Sequence, residues 1–328
     1  MGVKDMNGKW TTTNHVPPRR NTKSIRADKR PVPPEKQPLP NGKKHKKEKL
    51  KKHFSIRILI SLAFLLIIFL EFLRLCDISY FVDTFYEVED EAIKNHIRIV
   101  LLTDLHLHEF GDHNQPLVEE IQRLQPDLIA MSGDMVDMNK TDYSVVTKLC
   151  QDLIDVAPIY FGYGNHEKEV IRVNQTSTIN VDLEQMGVHV LHNRYETIQV
   201  NDNWIDIGGL SANPGTMDAD YTQKFWQSYL QTQNYRLLLV HYPQFFFTDG
   251  ELLGQGIDMA LCGHLHGGQI VVPYLGGLYH PLDGFFPEMT DGCHSIGDTW
   301  VIISRGLGNG KALPRINNPP ELVIIDLY

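Results

Sequence analysis

Cysteine is scarce in this 328-residue chain, and basic residues are scarce in most of it. The four cysteines lie far apart and form no C-x-x-C pair, which excludes a disulfide scaffold and a cysteine-rich zinc module. Residues 58–328 contain 14 Lys and Arg against 36 Asp and Glu. Because phosphate backbones repel a surface with this excess of negative charge, we do not expect nucleic acid as a partner.

A basic segment rich in proline and lysine precedes the acidic part. Residues 1–57 contain 17 Lys and Arg against 4 Asp and Glu, and their apolar residues form almost no clusters. Such a segment cannot bury enough apolar surface to offset the entropy that is lost on ordering. We therefore expect residues 1–53 to be a disordered basic tail. A nuclear or nucleic-acid-binding tail has a similar composition, but the apolar residues that follow argue against it.

An apolar segment, FSIRILISLAFLLIIFLEFLRLC, occupies residues 54–76. As a helix it is about 33 Å long, enough to cross a hydrocarbon layer of about 30 Å. A buried core helix and a cleaved signal peptide are the alternatives, although no small-x-small cleavage site follows the segment. Lysines before it and acidic residues after it predict a single-pass anchor in the cell membrane. The N-terminus is then cytoplasmic and the large domain is extracytoplasmic.

The remaining residues alternate between predicted strands and helices, which is typical of an α/β domain. Residues 77–96 are expected to form a stalk or linker, or an edge strand, that leads into a domain over residues 97–328. That domain begins with a continuous apolar run, residues 97–103, as expected for a strand buried on both faces. Further strands are predicted at 127–131, 158–163, 204–210, 235–240, 259–262, 300–304 and 322–327, with helices at 116–124 and 144–154.

Polar side chains of metal-binding types follow five of these strands. Because the carboxyl ends of strands form the ligand-binding edge of an α/β sheet, we expect these side chains to converge. The D-x-H and H-x-H pairs are expected on extended backbone, where both side chains can point to one side. Gly133, Gly164 and Gly263 precede ligands, where the chain must turn sharply and approach a neighbour closely. The candidate ligands are Asp104, His106, Asp134, Asn165, His241, His264 and His266.

The chemistry of these candidate ligands restricts the metal. Two carboxylates, one amide and four imidazoles suit Mn²⁺, Fe or Zn²⁺ and suit Ca²⁺ poorly. Seven ligands are too many for one closed site, so we expect two divalent ions that share a bridging carboxylate. Ordinary turn chemistry is the alternative for any single residue, because Asp, Asn and Gly favour turns.

The motifs that carry the candidate ligands occur in the order D-x-H, G-D-x-x-D, G-N-H-E, H-x-P and G-H-x-H. This ordered set resembles the calcineurin-like metallophosphoesterase superfamily, and the segments G-H-L-H-G-G-Q and S-R-G-L-G-N-G resemble its bacterial membrane-associated phosphodiesterases. The resemblance implies a four-layer αββα sandwich. It also implies that one ion binds Asp104, His106, Asp134 and His266, and that Asp134 bridges to a second ion completed by Asn165, His241 and His264.

The resemblance assigns catalytic roles to two further residues. It implies that His166 protonates the leaving oxygen or stabilises charge there, and that Asp137 orients His166. A helix N-cap is the alternative for Asp137.

We expect a membrane-anchored phosphoesterase that hydrolyses phosphomonoester, phosphodiester or pyrophosphate bonds by metal-activated hydroxide. Its expected partners are a phosphate-ester substrate, with a lipid- or envelope-linked ester as one option, and the membrane through residues 54–76. No protein partner is predicted. Two alternatives stay open: a pyrophosphatase for a lipid-linked nucleotide, of UDP-diacylglucosamine type, and a membrane-tethered scaffold with a structural metal site. The motifs leave the substrate open, because substrate choice depends on loops outside them.

Overall fold

The computed structural model describes residues 42–174, 177–217, 220–248, 250–281, 284–310 and 313–328. Most of the predicted disordered tail, residues 1–41, lies outside these ranges. The helices are α1 (Gly42–Leu75), α2 (Gln115–Leu124), α3 (Ser144–Leu153), α4 (Asn165–Val173), α5 (Ile179–Gln185), α6 (Asp220–Tyr229) and α7 (Gln244–Phe247), with short 3-10 turns at Asp112–Asn114 and His266–Gly268. The strands are β1 (Val82–Val88), β2 (Ile97–Leu102), β3 (Leu128–Ser132), β4 (Ile159–Gly162), β5 (His189–Leu191), β6 (Arg194–Val200), β7 (Asn203–Leu210), β8 (Tyr235–Val240), β9 (Met259–Cys262), β10 (Val271–Val272), β11 (Gly276–Gly277), β12 (Tyr279–His280), β13 (Gly284–Phe285), β14 (Gly292–Ile296), β15 (Thr299–Ile303) and β16 (Glu321–Leu327).

Helix α1 begins at Gly42, inside the segment predicted to be disordered. The prediction of disorder is therefore wrong for residues 42–53, because lysine, glutamate and leucine extend a helix readily once apolar residues beside them have formed one. The large apolar side chains from Phe54 to Leu73 are 42–67% exposed, which does not fit a buried core helix. Residues Lys46–Leu75 are long and apolar enough to cross a membrane.

Two six-stranded sheets form the domain. The first has the order β1-β16-β2-β3-β4-β5, in which β2 to β5 are parallel and β16 is antiparallel to β2. The second has the order β14-β15-β9-β8-β7-β6, with parallel central strands and an antiparallel strand at each edge. Every strand and helix predicted within the domain is present, and each of their ends lies within one residue of its predicted position.

The alternation of side chains along β2 shows how the layers pack. Ile99 and Leu101 join a core that residues of both sheets form together, so this core lies between the sheets. Val100 and Leu102 point the other way, into a core shared with helices α2 to α5. A third core lies between the second sheet and helices α6 and α7. Because successive residues of a strand face opposite sides, a continuous apolar run contributes to two cores. The predicted four-layer αββα architecture is confirmed.

The first strand of the domain comes from the segment predicted as a stalk. β1 pairs in parallel with β16, and the Thr84 hydroxyl donates a hydrogen bond of 2.6 Å to Glu321. Its side chains alternate between exposed and partly buried, as expected for an edge strand with one covered face. The stalk interpretation is wrong for β1, the edge-strand alternative is correct, and the domain begins before residue 97.

Candidate metal centre

The predicted ligands lie just beyond the carboxyl ends of neighbouring strands. β2, β3 and β4 of the first sheet, and β8 and β9 of the second, each end within three residues of a candidate ligand. Six of the seven ligands are buried, and Asn165 is partly exposed. The ligand atoms of the six buried residues and of His166 form three groups, and within each group all of these atoms lie within 4.8 Å of one another. The first group is Asp104, His106 and His266, and the second group is Asp134, His241 and His264. A third set consists of His106, Asp134 and His166.

Asp104 has one anchored and one unbonded oxygen. Its Oδ2 accepts hydrogen bonds from the Thr103 hydroxyl at 2.9 Å and from the His264 backbone N–H at 3.0 Å. Within the described part of the chain, Oδ1 is buried without a hydrogen-bond partner. It lies 3.4 Å from Nε2 of His266 and 3.8 Å from Nε2 of His106. A buried carboxylate oxygen facing imidazole nitrogens fits a divalent cation, because burying it without a partner is costly.

Asp134 connects the two groups. Its Oδ1 accepts a hydrogen bond of 2.8 Å from the backbone N–H of His166. Its Oδ2 lies 3.1 Å from Nε2 of His241 in the second group and 4.0 Å from Nε2 of His106 in the first. One carboxylate oxygen therefore faces both groups, which fits the predicted bridging position.

The electrostatics of the pocket favour a cation. Burial alone would lower the pKa of His241, but the carboxylates of Asp134 and Asp104 outweigh burial and raise it to about 9. Burial would likewise raise the pKa of Asp134, but His241 and the other imidazoles hold it well below its usual value. Burial lowers the pKa of His106 to about 4, which leaves the neutral ring that metals bind. The Asp134 carboxylate thus stays charged and attracts positive charge.

Five candidate ligands have a left-handed backbone, so the extended conformation expected for the D-x-H and H-x-H pairs is wrong. Such conformations cost on the order of 1–3 kcal/mol each for residues other than glycine, and they cluster at functional sites. The residues are Asp104 (φ 53°), His106 (φ 47°), Asp134 (φ 53°), His264 (φ 74°) and His266 (φ 49°).

The glycines before the ligands make the close approaches that the sequence predicts. Gly133 has φ +84°, and an added Cβ would overlap the backbone nitrogen of Gly164. At Gly263 a Cβ would overlap Oδ2 of Asp104 and the Thr103 hydroxyl. The prediction of close packing at these positions is confirmed.

Comparison with known proteins identifies the family to which this pocket belongs. The family model "Calcineurin-like phosphoesterase" matches residues 97–268, which is more than half of the chain. The chain belongs to the calcineurin-like phosphoesterase family. The expected resemblance is confirmed, and a metal-dependent hydrolase is supported.

Curated relatives of this phosphoesterase include bacterial and animal proteins. Phosphodiesterase YaeI of Escherichia coli (strain K12) is 27% identical over 246 residues, covering 70% of this chain and 82% of YaeI. The uncharacterized metallophosphoesterase YkuE of Bacillus subtilis (strain 168) is 29% identical over 243 residues, covering 70% and 78%. A "transmembrane protein with metallophosphoesterase domain" of Danio rerio is 26% identical over 238 residues, covering 64% and 52%.

The structure orients His166 of this phosphoesterase differently from the prediction. Nδ1 of His166 accepts a hydrogen bond of 3.0 Å from the backbone N–H of Met138. Asp137 instead accepts hydrogen bonds from the backbone and side-chain N–H groups of Asn139, at 2.8 and 3.0 Å. The contact expected between Asp137 and His166 is therefore replaced by Met138. Because Nδ1 accepts, Nε2 carries the proton of the neutral ring, and it lies 3.8 Å from Oδ2 of Asp134.

Glu167 is an organising residue that the sequence analysis did not assign. Its buried carboxylate accepts four backbone N–H bonds, from Asp134, Met135 and Gly164 at 2.8 Å and from Val136 at 3.2 Å. It thereby joins the loop after β3 to the loop after β4, and its place in the G-N-H-E motif was the available signal. Burial raises its pKa to about 7.

Two aromatic residues beside the second group were also missed. The Tyr242 hydroxyl donates to Oδ1 of Asn165 at 3.3 Å, and its ring centroid lies 4.4 Å from that of His264. His280 is buried, with its ring centroid 4.9 Å from the His264 ring. Tyr242 is the variable position of H-x-P, and His280 belongs to no motif, so neither had a signal in the sequence.

Proposed function

We propose that the protein is a membrane-anchored phosphoesterase that uses two divalent ions to hydrolyse phosphodiester, phosphomonoester or pyrophosphate bonds. The observation that carries the proposal is the position of Asp134 Oδ2, which faces histidines of both ligand groups. The first ion would bind the first group with Asp134. The second ion would bind the second group with Asn165. Mn²⁺, Fe and Zn²⁺ all suit these ligands, so the metal is left open.

The residues around the pocket have different roles in the proposed reaction. When bound, two such ions lower the pKa of a water molecule towards about 7 and offset the negative charge on phosphoryl oxygens. His166 donates a hydrogen bond from Nε2 to the leaving oxygen and stabilises the charge that develops there, while the Met138 N–H holds its ring. Asp104 and Asp134 supply the negative charge that retains the ions. The scaffold alternative gives no reason for a proton-bearing His166 beside the ligands.

Helix α1 supports the membrane part of the proposal. Its exposed apolar side chains need a nonaqueous surrounding, and a run of lysines precedes them. The Danio rerio relative is named as a transmembrane protein, which agrees with an anchor here. We propose a single pass with a cytoplasmic N-terminus.

Substitution of two proposed ligands tests the catalytic proposal. In the full-length protein, purified in detergent and loaded with Mn²⁺, Asp134→Asn and His264→Ala should lower turnover of bis(p-nitrophenyl) phosphate by on the order of 10³-fold. A bound ion is worth several kcal/mol, and about 1.4 kcal/mol is tenfold in rate.

His189→Ala is the matched control, because His189 lies at the amino end of β5 and contacts Glu196. It should keep wild-type turnover. Unchanged activity in both ligand variants would contradict the proposal, and elemental analysis that finds one ion per wild-type chain would contradict the two-ion site.

A further inference from the structure

A small antiparallel meander follows the second ligand loop. Strands β10 and β11 pair, as do β12 and β13. The Leu278 N–H donates to the Ile270 carbonyl at 2.7 Å, and the Phe286 N–H donates to the Leu278 carbonyl at 2.9 Å. Residues 270–281 and 284–286 therefore form one three-stranded unit, which we call the meander.

The meander exposes large apolar side chains. Tyr274 is fully exposed, and Leu275, Phe285 and Phe286 are 66%, 72% and 51% exposed. The sequence from 270 to 286 contains a single charged residue, Asp283. Exposed apolar side chains concentrated in this way mark a surface that contacts another apolar phase.

Asn317 connects the meander to the end of α1. Its backbone N–H donates to the Leu75 carbonyl at 2.8 Å, and its side-chain amide donates to the Val271 carbonyl at 3.0 Å. The Val271 N–H donates to the Ile316 carbonyl at 3.0 Å. The last residue of α1 and the first strand of the meander are thus both held by Asn317, through its backbone and its side chain respectively. Tyrosine and phenylalanine side chains are favoured where a span leaves the hydrocarbon.

The other side of the meander packs on the metal centre. His280 of β12 lies beside the His264 ring, and an added Cβ on Gly268 would lie 2.6 Å from Cα of Gly277. The meander therefore contacts the ligand loop and also exposes large apolar side chains to its surroundings.

We propose that Tyr274, Leu275, Phe285 and Phe286 insert into the headgroup region of the bilayer that α1 crosses, and so hold the metal pocket at the membrane surface. The partner is a lipid surface, which follows from the continuity between α1 and the meander through Asn317. The proposal rests on the anchoring part of the proposed function and is independent of its catalytic part.

Site-specific fluorescence in liposomes tests the insertion. Full-length protein with Cys76→Ser and Cys293→Ser retains the buried Cys150 and Cys262 as its only native cysteines. Tyr274→Cys is labelled with an environment-sensitive fluorophore. Nitroxide on the lipid chains near the headgroups should quench this label several-fold more strongly than a label at Trp204→Cys. Trp204 is the matched control because it is 53% exposed near the amino end of β7.

The remaining outcomes would contradict either the insertion of the meander or the anchoring by α1. Equal quenching by aqueous iodide at positions 274 and 204 would overturn the insertion. Shielding of position 274 from both quenchers would also overturn it, in favour of a protein partner or a second copy. A label at Leu66→Cys within α1 reports the anchor itself, so its failure to be quenched by nitroxide placed deep on the lipid chains would overturn the anchoring. None of these measurements needs turnover.

Discussion

Each carboxylate of the metal pocket uses its two oxygens differently. One oxygen is fixed by the backbone N–H of another site residue, His264 on Asp104 and His166 on Asp134. The other oxygen faces the imidazole nitrogens. The backbone of one site residue therefore sets the side-chain orientation of another, and a substitution at either carboxylate disturbs two loops.

His166 is the residue whose role can be separated from metal binding. His166→Ala should keep its metal content, because the ring has no place in the two proposed ligand sets. Loss of a hydrogen-bond donor to the leaving oxygen lowers the rate by roughly 10²- to 10³-fold, with the larger effect on esters whose leaving groups are poor. Metal analysis beside kcat for p-nitrophenyl and alkyl esters measures both.

Asp137→Asn is the companion variant for His166. If Met138 alone holds the ring, Asp137→Asn should keep kcat for the alkyl ester. A loss equal to that of His166→Ala would restore the orienting role to Asp137. Metal that falls in step with activity in His166→Ala would contradict the hydrogen-bond-donor assignment.

The secondary-structure elements divide into those the sequence predicts and those it does not. β2, β3 and β9 are almost entirely buried, so each appears as a mainly apolar run with clear ends. β6 (RYETIQV) is half exposed and largely polar, and β10 to β13 have only two residues each. No side-chain pattern marks such strands.

The metal centre likewise has features that the sequence predicts and features that it does not. Strand ends and ordered motifs place the seven candidate ligands at one edge of the sheets, and the structure brings the ligand atoms of all but Asn165 together in groups. The left-handed backbone at Asp104 and His106 could not be predicted from the sequence, because neither residue type adopts it as readily as glycine does. The Met138 contact is likewise hidden, since a backbone N–H is independent of residue type.

The turn from β9 into the H-x-H loop gives a prediction for an element boundary. Gly263→Ala places a methyl group where Oδ2 of Asp104 and the Thr103 hydroxyl lie. We expect roughly 10- to 100-fold weaker metal binding, as for lost supporting contacts, and a free energy of unfolding about 1–3 kcal/mol lower. Metal titration and thermal unfolding measure the two effects.

Gly254→Ala is the control for the loss of a glycine. Its φ is +66°, and an added Cβ meets no atom within 4 Å. It should cost stability without changing metal affinity. Equal metal affinities in the Gly263 and Gly254 variants would contradict the role given to Gly263.

At the scale of the whole molecule, charge differs sharply on the two sides of α1. The segment before it is strongly basic and the domain after it is acidic. In full-length protein with Cys76→Ser and Cys293→Ser, impermeant maleimide on intact cells should label Trp204→Cys. It should leave Lys9→Cys unlabelled until the membrane is opened, because basic flanks stay in the cytoplasm. The opposite labelling pattern would contradict the topology.

The position of β16 inside the first sheet determines when the domain can fold. β16 lies between β1 and β2, and it joins Thr84 to Glu321 across 237 positions and Arg98 to Asp326 across 228. Until residues 321–327 leave the ribosome, β1 and β2 lack β16, the strand that lies between them in the sheet. Contacts this distant in sequence form late. The first sheet can therefore close only after the chain has been made through residue 327.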